Sequence, residues 1–231
     1  MLGLAEKPVD LKLLTLIFKC YLQYLMTIRF IINFLFLINS GCAQQVDKHA
    51  YTVDPTSKKL NDSAVSIAVH SYEYAKAVEL LDKATQIDSN YFAAYRNKMS
   101  FQGLIKPFDA DKILAIVKSL SRLRPQDPQY YMNIGMLYYK KGDSLISSTY
   151  FSEALLHFNS ILDTIHSTTP GYDVLVMSKG YTLYFQGQDQ KAHDILQNLY
   201  ETTQNTVVKE MILPALQKTR KDIIAEFMSS Y

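Results

Sequence analysis

The spacing of apolar residues predicts helices over most of the chain. From about residue 60 onward, apolar residues recur three and four positions apart, the spacing of one buried face of an amphipathic helix. YAKAVELLDKATQIDSN, from Tyr74 to Asn90, shows this pattern clearly. The composition agrees, because 48% of the 231 residues are hydrophobic and only 8 are Gly and 7 are Pro, which excludes a disordered or collagen-like chain. The sequence therefore predicts a globular, all-α protein.

The N-terminal segment is apolar but is divided by basic residues. Residues 11–38 hold the most apolar stretch, and three basic residues cut it into pieces too short for one comfortable span of about 20 residues. If translation starts at Met26, Arg29 forms a short basic region and Phe30–Ile38 an apolar one, followed by small residues. That order is typical of a secretory signal peptide.

The end of this segment, Ile38-Asn39-Ser40-Gly41-Cys42, resembles the lipid-attachment motif of bacterial lipoproteins, although that family usually has an aliphatic residue at the position of Asn39. The resemblance implies that residues 1–41 are removed and that Cys42 carries diacylglycerol as the mature N-terminus in the cell envelope. Ala43 follows it, which by the same resemblance favours the outer membrane. The alternative is an uncleaved membrane anchor, which could leave the rest of the chain on the cytoplasmic side.

A polar segment separates Cys42 from the periodic part of the chain. Residues 42–59 lack apolar periodicity and contain Pro55, so they are interpreted as a tether, with the folded domain starting near Leu60. The only cysteines are Cys20 and Cys42, so the domain contains no disulfide.

Two later segments, 127–155 and 176–200, share one pattern. In each, two glycines lie seven residues apart, followed by small and apolar residues. This resembles the tetratricopeptide repeat (TPR) family, whose unit is a helix-turn-helix of about 34 residues. The resemblance implies that Gly135 and Ser147 allow two helices to approach and that Gly142 allows the turn. The matching positions are Tyr131, Ile134, Gly135, Tyr138, Gly142, Ser147, Phe151, Ala154 and Leu155 in the first segment, and Gly180, Gly187, Ala192, Leu196 and Leu199 in the second.

Weaker copies precede these two. Residues 74–90 match the second helix of a repeat, and YFAAYRNKMSFQG begins the next one. Corresponding positions are Asn61, Tyr95, Tyr131 and Val176, and the steps between them are 34, 36 and 45 residues. The long last step predicts an insertion near residues 166–171, either a loop or a lengthened helix.

The predicted architecture is a TPR-like solenoid of about four repeats over residues 60–202. Residues 203–231 continue the helical spacing and contain Pro214. They are predicted to form one C-terminal capping helix, bent at Pro214, that covers the apolar edge of the last repeat.

The sequence offers few candidates for chemistry. The histidines never occur four residues apart, and phosphate-binding glycine motifs are absent, so no metal ion, cofactor or catalytic residue is predicted. Asp88, Asp109 and Asp111 are interpreted as helix caps. The basic cluster Lys218, Arg220, Lys221 is interpreted as a solvated helix face.

The charge balance argues against nucleic acid. Residues 1–41 hold four of the 24 Lys+Arg and two of the 22 Asp+Glu, which leaves 20 of each in the remainder.

The TPR resemblance also implies a binding surface, because the first helix of each repeat lines a concave face in that family. Methionine and tyrosine suit a groove for an extended peptide or an amphipathic helix. The alternative is that neighbouring helices or the C-terminal helix bury several of these residues. The predicted groove residues are Gln129, Met132, Met136, Tyr139, Lys140, Met177, Tyr181, Tyr184 and Phe185.

Together these features predict a non-catalytic, membrane-anchored TPR scaffold that binds a protein or peptide partner. The competing hypothesis is an enzyme or enzyme subunit with its site around residues 157–172, using His157 and His166.

Overall fold

The computed structural model describes residues 51–229. All ten of its helices are α-helices, and the described residues contain no strand. The helices are α1 (Pro55–Ser71), α2 (Tyr74–Ile87), α3 (Phe92–Leu104), α4 (Ala110–Leu123), α5 (Pro128–Lys140), α6 (Ser144–Leu162), α7 (Tyr172–Phe185), α8 (Asp189–Thr202), α9 (Thr206–Gln217) and α10 (Arg220–Ser229).

The helices pack in chain order, as four hairpin pairs followed by two C-terminal helices. Each helix packs against the next, and the short connections within pairs make their members antiparallel. The first helices of neighbouring pairs also touch, as α1 and α3 do. This is the predicted all-α, TPR-like solenoid. We call the surface lined by α1, α3, α5 and α7 the concave face, after the position that the first helices have in TPR folds.

Glycines allow close helix approaches, as predicted. A Cβ atom on Gly135 would lie 2.7 Å from the Phe151 ring, and one on Gly180 would lie 2.6 Å from the Leu196 side chain. Ser147 Oγ donates to the Gly135 carbonyl at 2.9 Å, which joins α5 to α6. Gly142 has φ +79°, so it makes the turn between these helices with a backbone conformation that glycine adopts readily.

The first pair reaches a close contact without glycine. Alanines around Leu81 form most of its core, and Ser57 Oγ donates to the Ala84 carbonyl across the pair at 2.9 Å. Because alanine has only a methyl group, α1 and α2 can approach along their length. The buried members of this core are Ala64, Ala68, Ala77, Leu81, Ala84, Tyr91 and Ala94.

The first helix begins earlier than the sequence suggested. It starts at Pro55 rather than near Leu60, because Asp54 accepts hydrogen bonds from the Thr56 and Ser57 amides and proline suits the first helical turn. The last five residues of the predicted tether, 55–59, are therefore helical.

The lead-in to α1 is attached to the solenoid through Asp88. This carboxylate accepts hydrogen bonds from the Tyr51 hydroxyl and from the Asp54 and Asn90 amides. Asp88 ends α2, so its predicted role as an N-terminal helix cap is wrong. The prediction for Asp109 is confirmed, because its side chain accepts from the Lys112 amide at the start of α4.

The predicted insertion is both a longer helix and a connection. Helix α6 has 19 residues, whereas α2, α4 and α8 each have 14. Residues 163–171 then join α6 to α7 without forming a helix.

The C-terminal region is two helices rather than one helix bent at Pro214. Helix α9 continues through Pro214 and ends at Gln217, and α10 starts at Arg220. Within residues 51–229 no helix combines the length and hydropathy needed to cross a membrane. The proposed signal peptide and Cys42 lie outside the described residues.

Candidate functional site

Most of the predicted groove residues are buried by the chain itself. Gln129 and Tyr139 are half-buried, and Lys140 is exposed. The expectation of an open Met/Tyr-rich groove is therefore wrong, and the alternative of burial by neighbouring and C-terminal helices describes the structure. Six of the nine are at most 5% exposed: Met132, Met136, Met177, Tyr181, Tyr184 and Phe185.

An aromatic cluster joins α10 to the concave face. The Phe227 ring of α10 packs edge-on against Tyr181, with ring centroids 4.7 Å apart, and against Phe185 at 5.8 Å. Phe185 in turn stacks on Phe151 of α6 at 5.0 Å and meets Tyr139 of α5 edge-on at 5.6 Å. These edge and offset geometries are the favourable ones for aromatic rings. Two of the predicted groove residues, Tyr181 and Phe185, therefore bind α10 through their rings.

Two tyrosines of α7 bind the backbone of α9 around its proline. Tyr181 donates to the Met211 carbonyl at 2.6 Å, and Tyr184 lies 3.5 Å from the Ala215 carbonyl. Pro214 has no N–H to donate to the Glu210 carbonyl four residues earlier, and the two tyrosine contacts hold α9 on either side of this proline. Burial raises the pKa of the Tyr181 hydroxyl, which therefore stays protonated and can donate.

Arg220, at the start of α10, binds the end of α7. Its Nε donates to the Tyr184 carbonyl at 2.6 Å, and one terminal nitrogen donates to the Phe185 carbonyl at 3.3 Å. The Asp189 carboxylate lies 3.5 Å from the same Nε. A cation at a helix C-terminus satisfies free carbonyls and opposes the partial negative charge of the helix dipole.

The interpretation of the basic cluster as a solvated face is therefore wrong for Arg220. It fits Lys221, which is exposed, and Lys218, which forms an exposed ion pair with Glu226 at 2.6 Å.

The far end of α10 reaches α5. Lys140 Nζ donates to the Met228 carbonyl at 3.2 Å and lies 5.6 Å from the centre of the Phe108 ring. Between the two ends, Ile223 and Ile224 are buried. Helix α10 thus lies across the C-terminal ends of α7 and α5. We call the surface that it covers, formed by Lys140, Tyr181, Tyr184 and Phe185, the α10 groove.

Sequence reasoning did not predict the polar row along the first helices, in which side-chain hydrogen bonds join α1 to α3 and α5 to α7. Asn97 Nδ2 of α3 donates to Asn61 Oδ1 of α1 at 2.8 Å, and Gln129 Nε2 of α5 donates to Ser178 Oγ of α7 at 2.9 Å. Asn133 of α5 is buried, and its Oδ1 is the only buried side-chain N or O atom of the described residues without a hydrogen-bond partner. The available signal was spacing, since Asn61, Asn97 and Asn133 are 36 residues apart.

The residues of the enzyme hypothesis serve packing or face solvent. The His157 ring packs on Tyr131 with centroids 4.8 Å apart, and its Nε2 lies 3.6 Å from the Glu153 carboxylate. His166 is exposed in the connection after α6. Among residues 51–229, His, Cys, Asp and Glu form no group that could hold a metal ion.

Comparisons with known proteins give little further information. No protein-family model matches the chain, and no curated protein matches it. Among solved structures, it is similar to the crystal structure of PilW, described as a widely conserved type IV pilus biogenesis factor. The sequence identity is 15%, the TM-score is 0.47, and the match covers 77% of this chain and 78% of that one.

Proposed function

We propose that this protein is a membrane-anchored, non-catalytic scaffold of the bacterial cell envelope that binds a protein partner through its concave face. One observation carries the binding part of the proposal. The α10 groove already holds an amphipathic helix, with apolar side chains against aromatic rings and a cation against the end of α7. A surface with these properties is suited to helix recognition.

The anchoring part rests on the sequence around Cys42 and on the position of the lead-in. Tyr51 is hydrogen-bonded to Asp88 in the turn between α2 and α3, so this end of the solenoid holds the start of the described chain. The eight residues 43–50 can span at most about 30 Å when fully extended. A lipid on Cys42 would therefore keep the domain close to the membrane surface. Because Ala43 follows Cys42, the outer membrane is the favoured location.

The anchor is tested by the intact mass of the protein extracted from membranes with detergent. Wild type should have the mass of residues 42–231 plus acyl groups, and a Cys42→Ser variant should lack that modification. An unmodified chain that retains residues before Cys42 would contradict lipidation and support an uncleaved anchor.

The binding part is tested by recovering the wild-type protein from cross-linked membranes with its partner. Lys140→Glu reverses a charge at the rim of the α10 groove, where Lys140 binds α10 itself, and should change recovery. Lys83→Glu is the matched control, because Lys83 is exposed on α2, in the first helix pair at the other end of the solenoid. Equal partner recovery with both variants would contradict binding at the concave face.

A further inference from the structure

We propose that α10 is an exchangeable occupant of its groove, and that a helix of the partner with the same pattern of side chains replaces it. The pattern is a basic residue, aliphatic residues three and four positions later, and an aromatic residue seven positions later. This inference rests on the proposed function, since it specifies the chemistry of the partner and how the concave face becomes free to bind it.

The pattern is taken from the contacts of α10. Arg220, Ile223, Ile224 and Phe227 occupy positions i, i+3, i+4 and i+7, which form one face of a helix. Arg220 binds the last carbonyls of α7, the two isoleucines are buried, and Phe227 contacts the rings of Tyr181 and Phe185. Helix-in-groove recognition uses anchors with this spacing.

The other face of α10 remains in solvent. Lys221, Asp222, Ala225 and Glu226 are exposed, so α10 contacts the solenoid through one stripe only. Because the solenoid contacts one face of α10, another helix with the same face could make the same contacts. The polar residues of the partner helix can then vary widely.

The two C-terminal helices differ in how firmly they are held. Helix α9 packs along both α7 and α8, buries Val208, Met211 and Ile212, and accepts the hydrogen bond from Tyr181. Helix α10 has ten residues, which is below the length of about 12–15 residues at which isolated helices become even marginally stable. It therefore depends on its groove to stay helical, and it can unfold when it leaves.

The connection between these helices permits such a release. Lys218 is extended, with φ −111° and ψ 159°, and both Lys218 and Thr219 are exposed. When α10 leaves, this connection can change direction while α9 keeps its contacts with α7. The α10 groove would then be open along the ends of α5 and α7.

Covalent linkage makes α10 a strong competitor of the partner. A short tether gives an effective concentration in the millimolar range, so a free helix of equal intrinsic affinity binds weakly while α10 is in place. The apparent affinity for the partner equals the intrinsic affinity multiplied by the fraction of molecules whose groove is open. Weakening α10 should therefore strengthen binding in trans.

The test uses the full chain and a fluorescent peptide of residues 218–229 as the probe. The Arg220→Ala/Phe227→Ala double variant weakens α10 but leaves every residue of the groove in place. We expect the double variant to bind the peptide at least ten-fold more tightly than wild type does. A Lys221→Ala chain is the control, because Lys221 is exposed, and it should bind as wild type does.

A second peptide, in which the residue at position 227 is alanine, tests the site of binding. It should bind the double variant at least ten-fold more weakly than the unaltered peptide does. Equal binding of the two peptides, or absence of peptide binding to a double variant that keeps the helical circular dichroism of wild type, would overturn the proposal.

Hydrogen exchange of the wild-type chain provides a test that requires no variant. The amides of α10 should exchange through an opening that leaves α7 and α9 protected. Exchange of α10 only at the rate of α7 would show that α10 is a fixed part of the fold, which overturns the proposal.

Light scattering distinguishes exchange with a partner from exchange between copies. A wild-type protein that is monomeric at all protein concentrations agrees with the proposal. A wild-type dimer that dissociates in the double variant would show that a second copy supplies the helix, which would overturn the proposal.

The proposed function can fail separately. A protein that exchanges its peptide but carries no lipid and recovers no partner would contradict the scaffold role alone.

Discussion

The two ends of the solenoid reach close helix packing by different means. At the N-terminal end, α1 and α2 meet through alanines, and an amide hydrogen bond between Asn97 and Asn61 joins α1 to α3. At the C-terminal end, glycines face large side chains, such as Gly135 opposite Phe151, and the aromatic cluster continues into α10. The alanine core at the N-terminal end packs only against its own helices. The aromatic core at the C-terminal end also contacts α10, so the side chains that pack this end also bind an added helix.

The largest loss of stability is expected from removal of the Phe151 ring, which lies between Gly135 and the aromatic cluster. Phe151→Ala removes a ring that packs against Gly135 and Phe185, and it should lower the free energy of unfolding by about 3–5 kcal/mol. Urea denaturation followed by circular dichroism measures this change. Leu145→Ala is the control, because Leu145 is 80% exposed, and it should change stability by less than about 0.5 kcal/mol. Equal losses in both variants would contradict the packing described for α5 and α6.

A smaller effect is expected from adding one methyl group at the glycine contact. Gly135→Ala places a Cβ atom 2.7 Å from the Phe151 ring, so it should destabilise the protein by about 1–3 kcal/mol. Gly103→Ala is the matched control in α3, since nothing lies within 4 Å of its Cβ position. There, the gain in helix propensity should stabilise the protein by about 0.5–1 kcal/mol. Changes of the same sign in both urea denaturation curves would contradict the assigned role of Gly135.

Substitutions of Asn97 and Asn133, in the polar row along the first helices, should have different effects on stability. Asn97→Ala removes the amide that donates to buried Asn61, and it should destabilise the protein by about 1 kcal/mol. Asn133→Leu removes a buried oxygen that lacks a partner, so it should be neutral or stabilising. Thermal unfolding of both variants measures the difference. A larger loss at Asn133 than at Asn97 would show that the assigned hydrogen bonds are wrong.

The smallest effects are expected from two aspartates with opposite pKa shifts. Although partial burial opposes it, hydrogen bonds from Tyr51, Asp54 and Asn90 hold the pKa of Asp88 below its ordinary value of 3.8. Its ionised form therefore stabilises the fold above about pH 3.8, and this contribution is lost as the pH falls through the lower folded value. Asp88→Asn should be less stable than wild type at pH 7, and the difference should shrink in acid.

Asp127 should behave in the opposite way. Burial raises its pKa, so ionisation of the Asp127 carboxyl is less favourable in the folded chain than in the unfolded chain. Asparagine preserves the cap on the Gln129 amide, so Asp127→Asn should be slightly more stable than wild type at pH 7. That gain in stability should disappear below about pH 3.8, where the Asp127 carboxyl of wild type is protonated in both the folded and the unfolded chain. Thermal unfolding between pH 3 and pH 7 measures both variants.

The repeat architecture could be predicted because its signals are local. Glycine spacing, small residues and apolar periodicity indicated that α5 pairs with α6 and that α7 pairs with α8. The predicted packing positions in α8 are confirmed, because Ala192, Leu196 and Leu199 are buried. The two glycine contacts between paired helices could also be predicted from the sequence. Only glycine leaves room for the Phe151 ring at Gly135 and for the Leu196 side chain at Gly180.

The occupant of the groove could not be predicted, because it depends on where a distant segment folds. Arg220 lies among exposed charged residues in sequence, and only the fold brings it to the carbonyl groups at the end of α7. The sequence predicted Tyr181 as a residue of an open groove. In the structure its hydroxyl donates to the carbonyl of Met211, 30 residues away. Periodicity indicates that a residue is on an apolar face and does not indicate which surface covers that face.

Photo-crosslinking in living cells tests the central claim most directly. A photoreactive residue replaces Lys140, at the rim of the α10 groove, or Leu145, exposed on α6. The account predicts a cross-link from position 140 to another envelope protein, stronger when Arg220→Ala/Phe227→Ala weakens α10, and no such product from position 145. Cross-links of equal strength from both positions, or a product from position 140 that weakening α10 leaves unchanged, would contradict it.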